Sequence, residues 1–146
     1  AAAAVTAALA DAGLEPGDVD HINAHATGTP AGDRAELAAF DAALGAAARR
    51  IPISATKSST GHLLGASGVV EAVLAVETLR TRTLPPTINL DEPEFDDWDI
   101  VTGQPRALAD DARLETVLST SFGFGGHNGA IVLRHHPPAR STDDRP

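Results

Sequence analysis

The sequence predicts an α/β domain in which a mixed sheet is layered with helices, and three observations carry that expectation. Alanine- and leucine-rich stretches of helical period alternate with short runs of strand character. Those short runs are apolar in the manner of strands covered on both faces. The last two, at 115–122 and 128–135, are joined by the glycine-rich corner GFGGHN and so form a hairpin, which adds an antiparallel strand and makes the sheet mixed.

Each element has its own signals. Ala-rich residues 1–13 favour helix, and Gly13 with Pro16 ends it. VDHIN, 19–23, alternates Val19, His21 and Asn23 against Asp20 and Ile22 and breaks at HATGTP, a strand leading into a turn. In GDRAELAAFDAALG, Leu37, Phe40 and Leu44 fall at helical spacing, Asp33 near the start suits the helix dipole, and Gly45 is the expected stop. IPIS, 51–54, reads as a brief strand. Residues 66–80 form a helix apolar almost all round, which predicts burial. Pro85, Pro86 and Pro93 make 83–93 an extended surface crossing. The polar, proline-rich end predicts a disordered tail over 135–146 behind a domain spanning 1–134.

Composition narrows the function. A chain of 146 residues, 42% hydrophobic, suits one globular domain. Net charge −9 with 11 scattered Lys and Arg argues against a nucleic-acid partner, since phosphate binding needs clustered cations. No apolar run reaches the roughly 20 residues of a membrane helix and no signal sequence opens the chain, so no membrane partner and a cytoplasmic location are expected. Zero cysteines remove disulfides, thiolate metal sites and a cysteine nucleophile. Methionine is absent too, and Ala1 already lies inside a helical pattern, which predicts a piece of a longer polypeptide.

Three loops carry the candidate chemistry: NAHATGTPAGD at 23–33, KSSTGHLLGASG at 57–68 and SFGFGGHN at 121–128. The first two follow strands and precede helices, the ligand-binding edge of open α/β sheets. A zinc site from His21, His25 and Asp33 is disfavoured: on a strand the two histidines stand about 13 Å apart at roughly 3.3 Å per residue. A phosphate loop is weak because Lys57 precedes Gly61, Gly65 and Gly68 instead of following them, and Ser67 followed directly by Gly68 breaks the hydrolase elbow spacing. The residues do offer hydrogen-bond donors. Two imidazoles and an ammonium near helix N-termini suit an oxygen that gains negative charge, an oxyanion or enolate. Thr27 and Thr29 are suited to hydrogen-bond an extended amide-bearing arm, and Glu71 is a candidate partner of Lys57.

Taken together, NAHATGTPAGDRAE, KSSTGHLLGASGVVE and SFGFGGHNGAIVL resemble, in order and spacing, the two histidine motifs and the terminal strand pair of the β-ketoacyl-acyl carrier protein synthases, the condensing enzymes of fatty-acid and polyketide synthesis. The resemblance runs from about residue 1 to 134 and implies the C-terminal half of a thiolase-like layered fold, whose N-terminal half lies outside this chain. It implies that His25 and His62 stabilise the enolate left when a malonyl thioester loses carbon dioxide, with Lys57 beside them and Glu71 holding that lysine. It also implies that Asp33 and Glu36 belong to the supporting acidic network, that Thr27 and Thr29 bind the phosphopantetheine arm, and that Phe124 is a gating residue whose N–H lines an oxyanion hole, supported by Phe122. No resident cofactor is implied, since phosphopantetheine arrives on the acyl carrier protein. The implied partners are that carrier, the N-terminal half and a second subunit in a homodimer or heterodimer. Arg49, Arg50, Arg80 and Arg82 are candidates to meet an acidic carrier.

The sequence departs from the family pattern at Ala26, where glycine is usual, at His127, where threonine is common, and in lacking the nucleophilic cysteine, which the family carries in its N-terminal half. The isolated chain is therefore expected to be inactive in condensation. The non-catalytic chain-length factor also lacks that cysteine but typically loses the histidines kept here, so the resemblance favours a synthase.

Overall fold

A computed structural model describes residues 1–135; the tail expected over 135–146 lies outside the described residues except for His135. The elements follow the chain in order. Helix α1 is Ala2–Ala12 and ends on Gly13, whose φ of 64° is the left-handed conformation glycine adopts without strain. Strand β1 is His21–Asn23, α2 is Pro30–Leu44, β2 is Ile53–Ser54, α3 is the single turn Lys57–Thr60, and α4 is Ser67–Thr81. Strands β3, Thr83–Leu84, and β4, Arg106–Ala107, form a small antiparallel pair; β5, Thr116–Phe122, and β6, Asn128–Arg134, form the hairpin.

The main sheet has the order β2-β1-β5-β6. β1 runs parallel to both neighbours, with Ile22 opposite Ile53 and Leu118, while β6 runs antiparallel to β5. The sheet is mixed, as the hairpin requires. Adjacent residues of a strand face opposite sides, and the two cores follow. Leu118 and Val132 join Val5, Leu9, Phe40 and Leu44 beneath α1 and α2, whereas Val117 and Leu133 join Ala75, Leu79 and Leu84 beneath α4. Helices thus cover both faces, the layered arrangement expected from the sequence.

Two expectations are corrected. The helix at 66–80 was expected to be buried all round, but α4 buries Ser67, Glu71, Ala75, Thr78 and Leu79 and exposes Val69, Val73 and Val76. One side packs on β5, and nothing in the described chain covers the other. The segment 83–93 is extended but is no mere surface crossing. Leu84 and Thr87 are buried, Thr87 accepts the N–H of Ala55 on its hydroxyl, and its own N–H donates to the carbonyl of Val101, whose N–H in turn donates to Ile53 of β2. Gly45 ends α2, as expected, and the chain then continues as a 3-10 turn over Gly45–Arg50. The His135 N–H donates to the Glu115 carbonyl, which continues the β5–β6 hairpin pairing by one residue.

Candidate active site

β1, β2 and β5 point the same way, so the loops that leave their C-terminal ends gather at one edge of the sheet. These are the three loops singled out in the sequence. His25, two residues beyond β1, and His62, beyond α3, bring their rings edge to face with centroids 5.5 Å apart. Phe122, the last residue of β5, stands 6.3 Å from His25, also centroid to centroid. A cavity of about 800 Å³ is lined by His25 and His62 together with Thr27, Thr29, Phe122 and Phe124. A second, of about 670 Å³, lies against Lys57, Phe40, Ile88 and Phe95 and shares His62, Thr27, Asp33 and Glu36 with the first.

A buried carboxylate holds the His25 turn. Glu36 Oε1 accepts the His25 N–H at 2.8 Å and the Thr120 hydroxyl at 2.7 Å, and Oε2 accepts the Ala26 N–H at 2.7 Å. Burial raises the Glu36 carboxyl above its ordinary range, and the Ala26 N–H, the Thr120 hydroxyl and the His25 N–H draw it back. Ala26 itself has φ 30°, a left-handed conformation in which a side chain is strained. Asp33, in the first turn of α2, accepts the Gly28 N–H at 3.3 Å; partial burial raises its carboxyl, and that N–H opposes the rise.

Behind the histidines, the Lys57 ammonium donates to Glu71 Oε1 with both side chains almost wholly buried. Burial raises the Glu71 carboxyl, and the bond to Lys57 opposes the rise. His25 moves the other way. Burial first, then the Lys57 charge and His62, lower its pKa from 6.5 to about 4, so the ring is neutral at pH 7. Its Nδ1 is buried with no hydrogen-bond partner. An orphaned acceptor costs less than an orphaned donor, so the proton belongs on Nε2. Neutral N–H donors around a cavity can stabilise an oxygen that becomes negative without protonating a neighbouring carbanion.

The family profile of the β-ketoacyl synthase C-terminal domain matches residues 1–91. This chain belongs to that family. A 3-oxoacyl-[acyl-carrier-protein] synthase 2 of Coxiella burnetii is 48% identical over 126 residues, covering 86% of this chain and 30% of the relative. Its counterpart in Synechocystis is 49% identical over 134 residues, covering 91% and 31%. The chain thus spans about 30% of the length of these relatives. Among solved structures, a β-ketoacyl synthase from Burkholderia phymatum superposes with a TM-score of 0.82 at 39% identity, covering 93% of this chain and 32% of that one. A type II PKS acyl-carrier protein in complex with its ketosynthase bound to the hexaketide gives 0.86 at 34% identity, covering 93% and 33%. The fold is the thiolase-like fold of the ketosynthases.

Within this β-ketoacyl synthase domain, the structure brings together His25, His62, Thr27, Thr29, Asp33, Glu36, Phe122 and Phe124 around one cavity, with the Lys57–Glu71 pair behind it. The Phe124 ring is fully exposed at the rim. Of the four arginines considered for an acidic carrier, Arg50 is exposed and the other three make bonds within the chain. Arg49 binds Asp41 and Asp97 and lies 3.9 Å over Trp98, Arg80 binds Glu77, and Arg82 donates to the Ala109 and Ala112 carbonyls. Sequence reading missed Thr120, which sits 95 residues from His25 yet bonds its turn, and Ser67, which contacts the His62 ring. Thr120 had no local signal; Ser67 had one, five residues after His62 at the start of a helix.

Proposed function

We propose that this chain is the C-terminal part of a β-ketoacyl-acyl carrier protein synthase, an acyltransferase that condenses malonyl-carrier protein with an acyl chain. The carrying observation is the pair of imidazoles, 5.5 Å apart, in one cavity with Thr27 and Thr29. The proposed domain covers 1–134. The substrate's phosphopantetheine arm arrives on the acyl carrier protein, lies along Thr27 and Thr29, and brings the only prosthetic group. Heterolysis of the malonyl C–C bond sends its electron pair into the thioester, carbon dioxide leaves, and the enolate oxygen receives N–H bonds from His25 and His62. The enolate carbon then attacks an acyl thioester, whose carbonyl oxygen carries the charge in the tetrahedral intermediate, with the Phe124 N–H as one donor to it. Collapse expels the thiolate that had held the acyl group.

That thiolate belongs to a cysteine outside this chain, which contains none. The chain alone therefore does not condense, and it works in a cytoplasmic protein with the N-terminal half and a second subunit. A structural neighbour is described as a ketosynthase/chain length factor, and a non-catalytic partner of that kind is the second reading. Retention of both histidines favours the first.

The test is carbon dioxide release from malonyl-carrier protein by the full-length encoded protein. Replacing His25 or His62 by Ala should lower the rate by about 100-fold or more, the scale of losing a donor to a developing oxyanion. Release by the parent protein undiminished in both variants would refute the decarboxylation role. A full-length protein with no cysteine and no release would establish the non-catalytic reading.

A further inference from the structure

We propose that Ser67 is a positioning residue that locks His62 in the tautomer carrying its proton on Nε2. The inference rests on the enolate-binding role proposed for His62 and adds a residue to it. Ser67 opens α4 and is only 5% exposed, although His62 itself lies open to the cavity. Its Oγ sits 3.1 Å from His62 Nδ1 and accepts the Leu63 N–H at 2.9 Å. The Leu64 N–H reaches the same Nδ1 at 3.1 Å.

Counting protons decides the roles. A backbone N–H can only donate, so Nδ1 must present its lone pair to Leu64 and carries no proton. The hydroxyl has one proton, and with the Leu63 N–H occupying an Oγ lone pair, that proton points at Nδ1, where it shares the single ring lone pair with the Leu64 N–H in a three-centre bond. Both donors then select the Nε2–H form and stop the ring from flipping, since a flip would set Cδ2 against Leu64 and Ser67. The backbone is bent to achieve this. Leu64 adopts φ 53°, and Gly61, on the other side of the histidine, φ 70°, so the chain doubles back and two successive N–H groups reach the His62–Ser67 pair. His25 lacks any such clamp, its Nδ1 being buried without a partner. The two rings therefore have the same proton arrangement by different means: burial for one, donated bonds for the other.

The experiment compares full-length wild type, Ser67→Ala and Ser67→Thr by solid-state NMR of ring-15N-labelled histidine, with the His62 signals identified by their loss in His62→Gln, alongside carbon dioxide release from malonyl-carrier protein. Wild type should give a single Nε2–H pattern. Ser67→Ala should show an added Nδ1–H population and a kcat lower by about fivefold, the effect expected of one neutral hydrogen bond, with KM little changed. Ser67→Thr, which keeps the hydroxyl, should restore both. Should the Ala variant unfold, Ser67→Cys preserves volume while weakening both bonds and should move the spectrum the same way. A His62 spectrum in folded Ser67→Ala or Ser67→Cys identical to wild type would overturn the tautomer lock. Undiminished release in His62→Gln would instead overturn the decarboxylation role and the catalytic consequence given to Ser67, leaving the tautomer to be read from the spectra.

Discussion

Ala26 occupies a left-handed backbone position between His25 and the threonine pair, and the Glu36 carboxylate holds it there through the successive N–H groups of His25 and Ala26. Replacing Ala26 by Gly should remove the strain and raise stability by about 1 kcal/mol, measured as a shift in the urea midpoint. Glu36→Ala should do the opposite, leaving the Ala26 N–H and the Thr120 hydroxyl proton without their acceptor and the His25 N–H with only its longer bond to Thr120, at a cost of about 2 kcal/mol or more. The buried histidines carry a pH signature. His21, pushed from 6.5 to about 3 chiefly by burial, and His25, at about 4, both stay neutral in the fold. Below pH 6.5 the unfolded chain therefore binds more protons than the native one, and these rings lose their contribution as pH falls towards their folded values. Glu36 and Glu71, raised in the fold, have the opposite sign above the ordinary carboxyl range. The informative measurement is thus a difference: the urea midpoint of His21→Gln should fall less between pH 7 and pH 4.5 than that of wild type.

Lysine 57 and glutamate 71 join the one-turn helix α3 to α4, and the tie is buried from both sides. Lys57→Ala should destabilise the protein by about 3–5 kcal/mol, because it strands a buried carboxylate. Lys57→Ala with Glu71→Ala should recover part of that loss in chemical denaturation, a coupling that a pair exposed to solvent would not give. At the N-terminus of α2, a Cβ on Gly32 would meet Thr29 Oγ1 at 2.5 Å. Gly32→Ala must therefore turn the Thr29 hydroxyl aside. Because alanine suits a helix and the displaced group is a side-chain end, the unfolding midpoint should hardly move, while KM for malonyl-carrier protein should rise if Thr29 binds the arm.

The outward side of α4 exposes Val69, Val73 and Val76, and Leu63, Leu64 and Phe124 are exposed as well, large apolar side chains of the kind that mark an interaction surface when they lie together. In the proposed synthase, an N-terminal half would be the layer that covers that side. The 146-residue chain alone should therefore self-associate in sedimentation velocity, and Val69→Lys with Val73→Lys should shift it towards monomer. A cooperative, monomeric parent chain would contradict this.

Much of the architecture was legible in the sequence because it rests on local signals. The Gly13 and Gly45 helix ends, the leucine and phenylalanine spacing of α2 and the corner of the final hairpin announce themselves within a few residues. The three motif loops were legible because residues of unusual chemistry cluster in short stretches. What the chain could not express locally was decided by tertiary structure: the burial of Glu36 beneath the His25 turn, its bond to Thr120 84 residues away, and the side of α4 that faces solvent. The physical reason is one of range. Turns and helix caps depend on neighbouring residues, whereas burial, pKa and hydrogen-bond partnership depend on what the sheet order brings alongside.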